Sequence, residues 1–526
     1  MQRKLYFLAS FVIASWFSLG IAEEIHRSLP RDLKTLDVHQ VQGLPEGTVQ
    51  RDLFEGLMVE DPAGNYIPAI AESVTVSANR LIYTFRLRRD VKWTNDDPVT
   101  AHDFVYSLRR MVDPQTAAEG AFLLESIENA AEIIHGKQKD LTQLGIKALD
   151  DYTLEIRLIK PTPYFLGILA QPVAMPVHRE TVEKYGTSWT NLTNIVSNGP
   201  YQLAEICPQS HIKLVKNPKY WDKDQVKVDT VYYWVHQNPE TELDKFRTGK
   251  LHVTWTIPFT KLSWVRKNMP EALRITPFLA LTYYAINMKR ELLGQSPTLR
   301  KALNMAVNRS ALVQKVRGLE EAPAYSWVPT QTANYKAVEA DWAKMSQEDR
   351  ETKARELYQA AGFNDQNPLE IELLCDTDEN NRRVATAVAS MWQHVLGAKV
   401  RVRIEGAKLF FASRAKREFD LIQAHWIGDF NDPETFLSLF RSDIGAQNLT
   451  SFDNPRFMET LKLALNEANP DKRQGLMQQV EQIILTELPV ILMYFDTQFQ
   501  LVSPKLQGWQ DNILGNHRSK HLSLQK

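Results

Sequence analysis

The stretch Asp429-Phe430-Asn431-Asp432-Pro433-Glu434 offers three carboxylates within six residues, enough oxygen to suggest a metal or an acid-base pair. It lacks the regular alternation and the glycine of a calcium loop. A turn followed by a helix start accounts for most of it, with Asp432 as N-cap, Pro433 at the first helical position and Glu434 in the first turn. Asp429 is left over. It follows the strand-like Phe419-Asp420-Leu421-Ile422 and the segment His425-Trp426-Ile427-Gly428, which places it near a strand end, a common cleft position in α/β folds. Taken alone, the residue pattern still favours a structural role for it.

Other reactive residues are not arranged for catalysis. No two of the 22 glycines stand two apart, and no Gly-Lys-Ser/Thr occurs, so the common phosphate cradles are absent. The i, i+4 pair His517 and His521 lacks the glutamate of a zinc hydrolase helix and reads as a solvated pair in a basic C-terminal tail. Cys207 and Cys375 are too few for a four-thiolate zinc site, and neither sits in a catalytic setting. A G-x-S-x-G elbow is missing. These absences argue against an enzyme, a cofactor or a bound metal. A secreted hydrolase built on Asp429 is the alternative class, and it lacks a nucleophile, base and orienter set.

The frame that must position any site is large. With 526 residues the length prior gives about three to four domains. Hydrophobic residues make up 44% and charged ones 24%, which provides for real cores rather than bulk disorder. Lys plus Arg number 62 against 63 Asp plus Glu, a net charge of -1 that gives nucleic acid or anionic lipid no field to follow. Arg3-Lys4, the apolar run Leu5 to Leu19 and the small residues Gly20-Ile21-Ala22 form a secretory signal with cleavage after Ala22. Export to the periplasm as a soluble protein follows.

Alternation of Leu81, Tyr83, Phe85 and Leu87 predicts a strand over 80–88, and Thr100 with Asp103 predicts a capped helix carrying Phe104, Val105, Leu108 and Met111. Asp150-Asp151 is a turn before a second strand at Tyr152, Leu154, Ile156 and Leu158. Ser296-Pro297 starts a helix. A strand at 369–374, a helix at 380–396 and a strand at 400–404 form a βαβ unit, the mark of an α/β domain. Helices at 433–441, 455–467 and 471–486 and a strand at 489–495 follow. No repeat or low-complexity linker separates the parts, which suits a hinged body.

Longer words in the chain are familiar. Ala71-Glu72-Ser73, Tyr83-Thr84-Phe85-Arg86-Leu87-Arg88, Val91-Lys92-Trp93-Thr94, Pro98-Val99-Thr100-Ala101 and Asp103-Phe104-Val105 resemble the signature of the oligopeptide and dipeptide solute-binding proteins of ABC importers. Arg51-Asp52-Leu53-Phe54-Glu55-Gly56-Leu57, Thr193-Asn194-Ile195-Val196-Ser197-Asn198-Gly199-Pro200-Tyr201 and Trp426-Ile427-Gly428-Asp429-Phe430-Asn431-Asp432-Pro433 match as well. The resemblance spans the mature chain and points to the periplasmic oligopeptide-binding branch, including its murein-peptide-binding members.

What the resemblance implies is specific. The fold is an α/β, two-lobed periplasmic binding protein fold of three domains, with a hinge and an interlobe ligand cleft. Residues 1–22 are the signal; 23–54, 179–280 and 497–526 make the first domain, 55–178 the second and 281–496 the third. The protein is a monomeric, non-enzymatic receptor that passes a peptide to an inner-membrane ABC permease, with murein peptide, haem or a metal chelate as alternative cargo. Asp429, in the Trp-x-x-Asp motif with His425, Trp426 and Gly428, pairs with the peptide α-ammonium. Gln42, Gly43 and Leu44 match a loop whose backbone contacts ligand, although an acid often stands where this chain has Gln42. Arg414 matches a cleft arginine, and Gln423 replaces another. Arg317 stands where a lysine meets the ligand carboxylate, against a second reading as a surface helix charge. Ala280 and Ile427 occupy the positions of a disulfide found in that branch. Asp96 replaces a signature glycine in a left-handed turn. Cys207 and Cys375 fall in different lobes and are expected unbonded.

Overall fold

The computed structural model describes residues 22–41 and 43–525. Residues 1–21 of the expected export signal, and Gln42 with its expected ligand contact, lie outside the described residues. No described helix is long and apolar enough to cross a membrane.

Three sheets organise the chain. The first orders Glu24–Leu29, Thr230–Val235, His211–Lys216 and Tyr201–Cys207, with the N-terminal strand parallel to its neighbour and the rest antiparallel. The second is an antiparallel sheet ordered Ala71–Val76, Ile82–Leu87, Thr153–Arg157 and Ile146–Asp150. Its alternation buries Tyr83, Phe85 and Leu87 against the helix Ala101–Val112, whose Phe104, Leu108 and Met111 face it. That helix starts in the predicted capping box: the Thr100 N–H donates to the Asp103 carboxylate at 2.7 Å. Asp96 adopts the left-handed turn expected of it, with φ of 80°.

The third sheet has six strands in the order Ala322–Pro323, Val490–Leu501, Leu273–Ile286, Leu421–Ile427, Glu370–Asp376 and Lys399–Glu405. Glu370–Asp376 and Lys399–Glu405 run parallel through the crossover helix Glu379–Leu396, as the βαβ reading required. Leu421–Ile427 is parallel to Glu370–Asp376 and antiparallel to the long strand Leu273–Ile286.

Apolar side chains gather into two large cores, which makes the fold two-lobed. One draws on residues from Ile25 to Val253 together with Val502, Leu506 and Leu522; the other runs from Leu279 to Phe495 with Leu514. Two strands span both lobes, Leu273–Ile286 and Val490–Leu501, whose ladder runs from Leu273 opposite Leu501 to Ala285 opposite Val490. The ladder slips between Pro277 and Leu281, where proline removes a backbone donor and softens the crossing.

Three readings need correction. The C-terminal histidines are not solvated: His517 stacks on Trp509 at 3.7 Å, and burial, then neighbouring cations, pushes both imidazoles down, to about 3 for His517 and about 4 for His521. The tail is drawn in by buried acids, since the Lys520 ammonium lies 3.1 Å from Glu55 and the Ser519 N–H donates to Asp52 at 2.9 Å. Next, the helix after Asp429 starts one residue later than expected, at Glu434 with Pro433 as cap, although the Asp432 carboxylate still accepts the Glu434 N–H at 3.0 Å. Finally, Arg317 is not a surface charge. It ends the π-helical turn Leu312–Arg317 and is buried in an ion pair with Glu321 at 2.5 Å. Cys207 and Cys375 are both free thiols.

Candidate functional site

Asp429 sits where strand Leu421–Ile427 gives way to a turn, and its neighbours fix it there. The Gly428 N–H donates to the Leu279 carbonyl at 2.8 Å, and a Cβ at Gly428 would lie 2.8 Å from Leu279 Cδ2 and 3.1 Å from Thr435 Cγ2. A larger residue would have to push these side chains aside. Thr435 Oγ1 accepts both the Asp429 N–H at 3.1 Å and the Trp426 indole N–H at 3.3 Å.

The carboxylates of this segment then divide. Asp432 is held by Arg473 through bonds of 2.8 and 2.9 Å, both side chains being buried, and Glu434 lies 3.8 Å from Arg473 and 3.9 Å from Lys160. Asp429 has no cation within ion-pair distance among the described residues. Burial raises its carboxyl pKa to about 7, and the hydrogen bond to Thr435 offsets only part of that. An acid so placed favours the arrival of a positive charge.

Asp429 and Trp426 line a cavity of about 620 Å³ between the lobes, with Ile159, Tyr164 and Ile168 on the opposite wall. Across its edge the rings of Tyr164 and Phe430 stack 4.0 Å apart, inclined by 4°. No motif announced Tyr164 or Thr435, because each acts through contacts distant in sequence or through a hydroxyl within an ordinary helix start.

Beside Asp429 the sheet has an open edge. Strand Leu421–Ile427 pairs with Leu273–Ile286 along its whole length, but with Glu370–Asp376 only at Leu421 and Ile422. The bond from Gly428 to Leu279 sets the alternation: even-numbered residues turn their N–H and C=O toward the long strand. His425 and Ile427 therefore turn theirs to the unpaired side, where an extended chain can add as a strand.

The remaining predicted residues separate into groups. His425 lies on the opposite face of the strand from Trp426, with its ring nitrogen 3.4 Å from Asp496. Burial alone depresses the His425 imidazolium, but Asp496 outweighs it and raises the pKa. Asp496 also accepts from the Thr282 hydroxyl at 3.1 Å, and Arg317 joins this cluster with its guanidinium 5.1 Å from the Tyr494 ring. Glu321, which holds Arg317, and Asp496 went unread in the sequence because strand pairing alone brings them close. Gln423 shares the face of His425, and its side-chain oxygen is buried beside its cross-strand partner Tyr284. Arg414, on helix Ala407–Lys416, approaches the Tyr283 phenol and opposes the burial that raises that group to about 12. Gly43 and Leu44 are exposed in the other lobe at the start of helix Leu44–Leu53, outside the cavity lining. Ala280 and Ile427 are direct cross-strand partners.

Comparison with known proteins gives the family and the fold. The family described as bacterial extracellular solute-binding proteins, family 5 middle, matches residues 65–448. The periplasmic oligopeptide-binding protein OppA of Salmonella typhimurium is 36% identical over 494 residues, which is 93% of this chain and 90% of that relative. The structure of the murein tripeptide-binding protein MppA of Escherichia coli superposes with a TM-score of 0.86 at 34% identity, covering 96% of this chain and 99% of that one. Haemophilus influenzae OppA in complex with the peptide RPPGFSPFR gives a TM-score of 0.84 at 29% identity, covering 96% and 99%.

Proposed function

Because the chain belongs to the bacterial extracellular solute-binding proteins of family 5, we propose that it is a periplasmic receptor. It captures oligopeptides between its lobes and delivers them to an inner-membrane ABC permease, without catalysis. The observation that carries this reading is Asp429: a half-buried carboxylate with no cation within ion-pair distance among the described residues, on the wall of the interlobe cavity and two residues beyond an open strand edge. The peptide's α-ammonium pairs with Asp429, while its backbone adds to the edge at His425 and Ile427. Such bonds ignore side-chain identity and suit mixed cargo. Trp426 and Gly428 hold the anchor in place, and Gln42, Gly43 and Leu44 offer backbone from the facing lobe. Arg414 and Gln423 border the cleft. Arg317, already neutralised by Glu321, contributes to the charge balance around His425 rather than serving as a free cation for the ligand carboxylate.

The domains run 23–54, 179–280 and 497–526 for the first, 55–178 for the second and 281–496 for the third; the two cores and the two crossing strands support the separation of the third from the other two. The exported chain acts as a monomer after removal of residues 1–22. Native mass spectrometry of protein purified from its own periplasm tests the reading. Co-purifying peptides with free amines support it, with ordinary and murein peptides told apart by mass. A protein that is empty as isolated and, by calorimetry, binds none of a panel of tri- to pentapeptides refutes it.

A further inference from the structure

The hairpin joining Tyr201–Cys207 to His211–Lys216 carries a second constellation outside the ligand cavity. Its strands close with Cys207 opposite His211 through Pro208-Gln209-Ser210, where Gln209 takes a φ of 59° and the Ser210 N–H donates to the Cys207 carbonyl at 3.0 Å. Glu205 stands two residues before Cys207, so it shares the same face, and cross-strand pairing puts His211 beside both. The Cys207 sulfur lies 3.1 Å from Glu205 Oε1 and His211 Nε2 lies 3.6 Å from Glu205 Oε2. One ligand atom from each residue falls within 4.8 Å of the other two.

We propose that Glu205, Cys207 and His211 bind a zinc ion, with water completing the fourth position. Zinc bonds of about 2.3 Å to sulfur and about 2.0–2.1 Å to nitrogen or oxygen put tetrahedral ligands ~3.3–3.6 Å apart, close to the 3.1 and 3.6 Å that separate Glu205 from its two partners. Thiolate with imidazole selects a borderline metal over calcium or magnesium, which take oxygen ligands. The imidazole is already oriented for coordination, because His211 Nδ1 shares a 3.0 Å hydrogen bond with Ser210 Oγ, which leaves Nε2 toward the acid and the thiol. The rings of Trp234 at 4.8 Å and Tyr232 at 5.7 Å flank it. The other thiol, Cys375, is fully buried in the other lobe's core. In the free protein the Cys207 thiol donates to Glu205, a bond that raises its pKa. Zinc replaces that proton, so binding follows HS–Cys207 plus Zn²⁺ giving (Zn–S–Cys207)⁺ plus H⁺, with the Glu205 carboxylate neutralising the remaining charge, and it weakens in acid.

Zinc chloride titrated into the reduced, chelator-stripped folded chain against a chromophoric chelator tests the site. One equivalent should bind with release of a proton, and Cys207→Ser, His211→Gln and Glu205→Gln should each weaken it at least about tenfold. Cobalt(II) should give a thiolate charge-transfer band in the near ultraviolet that survives Cys375→Ser and vanishes in Cys207→Ser. Zinc held equally by parent and Cys207→Ser, or a parent with no charge-transfer band, overturns the proposal. The cobalt band in the parent decides the matter even if a variant fails to fold.

Discussion

The ionisation of Asp429 should govern peptide affinity, and its pH dependence can be worked from the site. The carboxyl titrates near pH 7 in the empty cavity because burial disfavours its charge. A ligand ammonium pairs with the ionised form alone. About half of the molecules are ionised at pH 7 and about one in a hundred at pH 5, so affinity for a peptide with a free amine should fall about fifty-fold between them. It should rise again toward pH 7.5 and level off as the peptide amine itself loses its proton near pH ~8. Removing one partner strands the other buried charge at a cost on the order of 3–5 kcal/mol, which is roughly a hundred-fold to a few thousand-fold in affinity. Calorimetry at pH 7.5 should show losses of that size for Asp429→Asn with a free-amine peptide and for the parent with the same peptide N-acetylated. Combining both changes should cost far less than the sum, because neither lone charge remains. The Asn variant should also lose the pH dependence between 5 and 7. A flat profile for the parent, or two losses that simply add, would refute the pairing.

The same carboxyl should burden the empty protein. An acid whose folded pKa lies above its unfolded value favours unfolding as pH rises from about 4 to about 7, so Asp429→Asn should stabilise the peptide-free chain at pH 8 by on the order of 2 kcal/mol, allowing for cavity water, and leave it unchanged at pH 3.5. Equal melting shifts at both pH values would remove the electrostatic cause. Gly428→Ala drives a methyl into Leu279 and Thr435 and should cost on the order of 1–3 kcal/mol in thermal unfolding while lowering peptide affinity; parent-like values for both would show that the segment yields. Ala280 and Ile427 form a pair whose main-chain groups do not bond each other, a spacing that suits a disulfide, so Ala280→Cys with Ile427→Cys should oxidise spontaneously and stabilise by about 2–4 kcal/mol without impairing binding. Free thiols at both positions after air oxidation would contradict that register.

Much of this could be read from local pattern. Thr100 with Asp103, the alternating strand at Ile82–Leu87 and the helix capped by Ser296 depend on neighbours a few residues away, and each formed where expected. Strand order in the six-stranded sheet could not be read that way, because Val490–Leu501 pairs with a strand some two hundred residues earlier. The C-terminal tail failed for the same reason: Arg518 and Lys520 look like solvated charges until Glu55, at the other end of the chain, is seen buried beside them. Asp429 is intermediate. Its place after a strand was legible, but its lack of a cation emerged only when Arg473 was found to be committed to Asp432.

Phe430 immediately follows Asp429, yet its ring belongs to the opposite lobe's core, where it is 6% exposed and stacked on Tyr164. The two neighbours therefore pull the empty receptor in opposite senses. Burying a phenyl ring favours the shut arrangement by roughly 1.5–3 kcal/mol, while shutting an unpaired carboxylate away from water opposes it by a similar amount. On the proposed reading the two contributions have opposite signs and similar size in the empty cleft. A bound amine cancels the carboxylate's objection and leaves the ring's preference unopposed. On the proposed reading, occupancy therefore favours the shut form through a single dipeptide, and withdrawing Phe430 from its slot would at the same stroke loosen the charge holding the cargo.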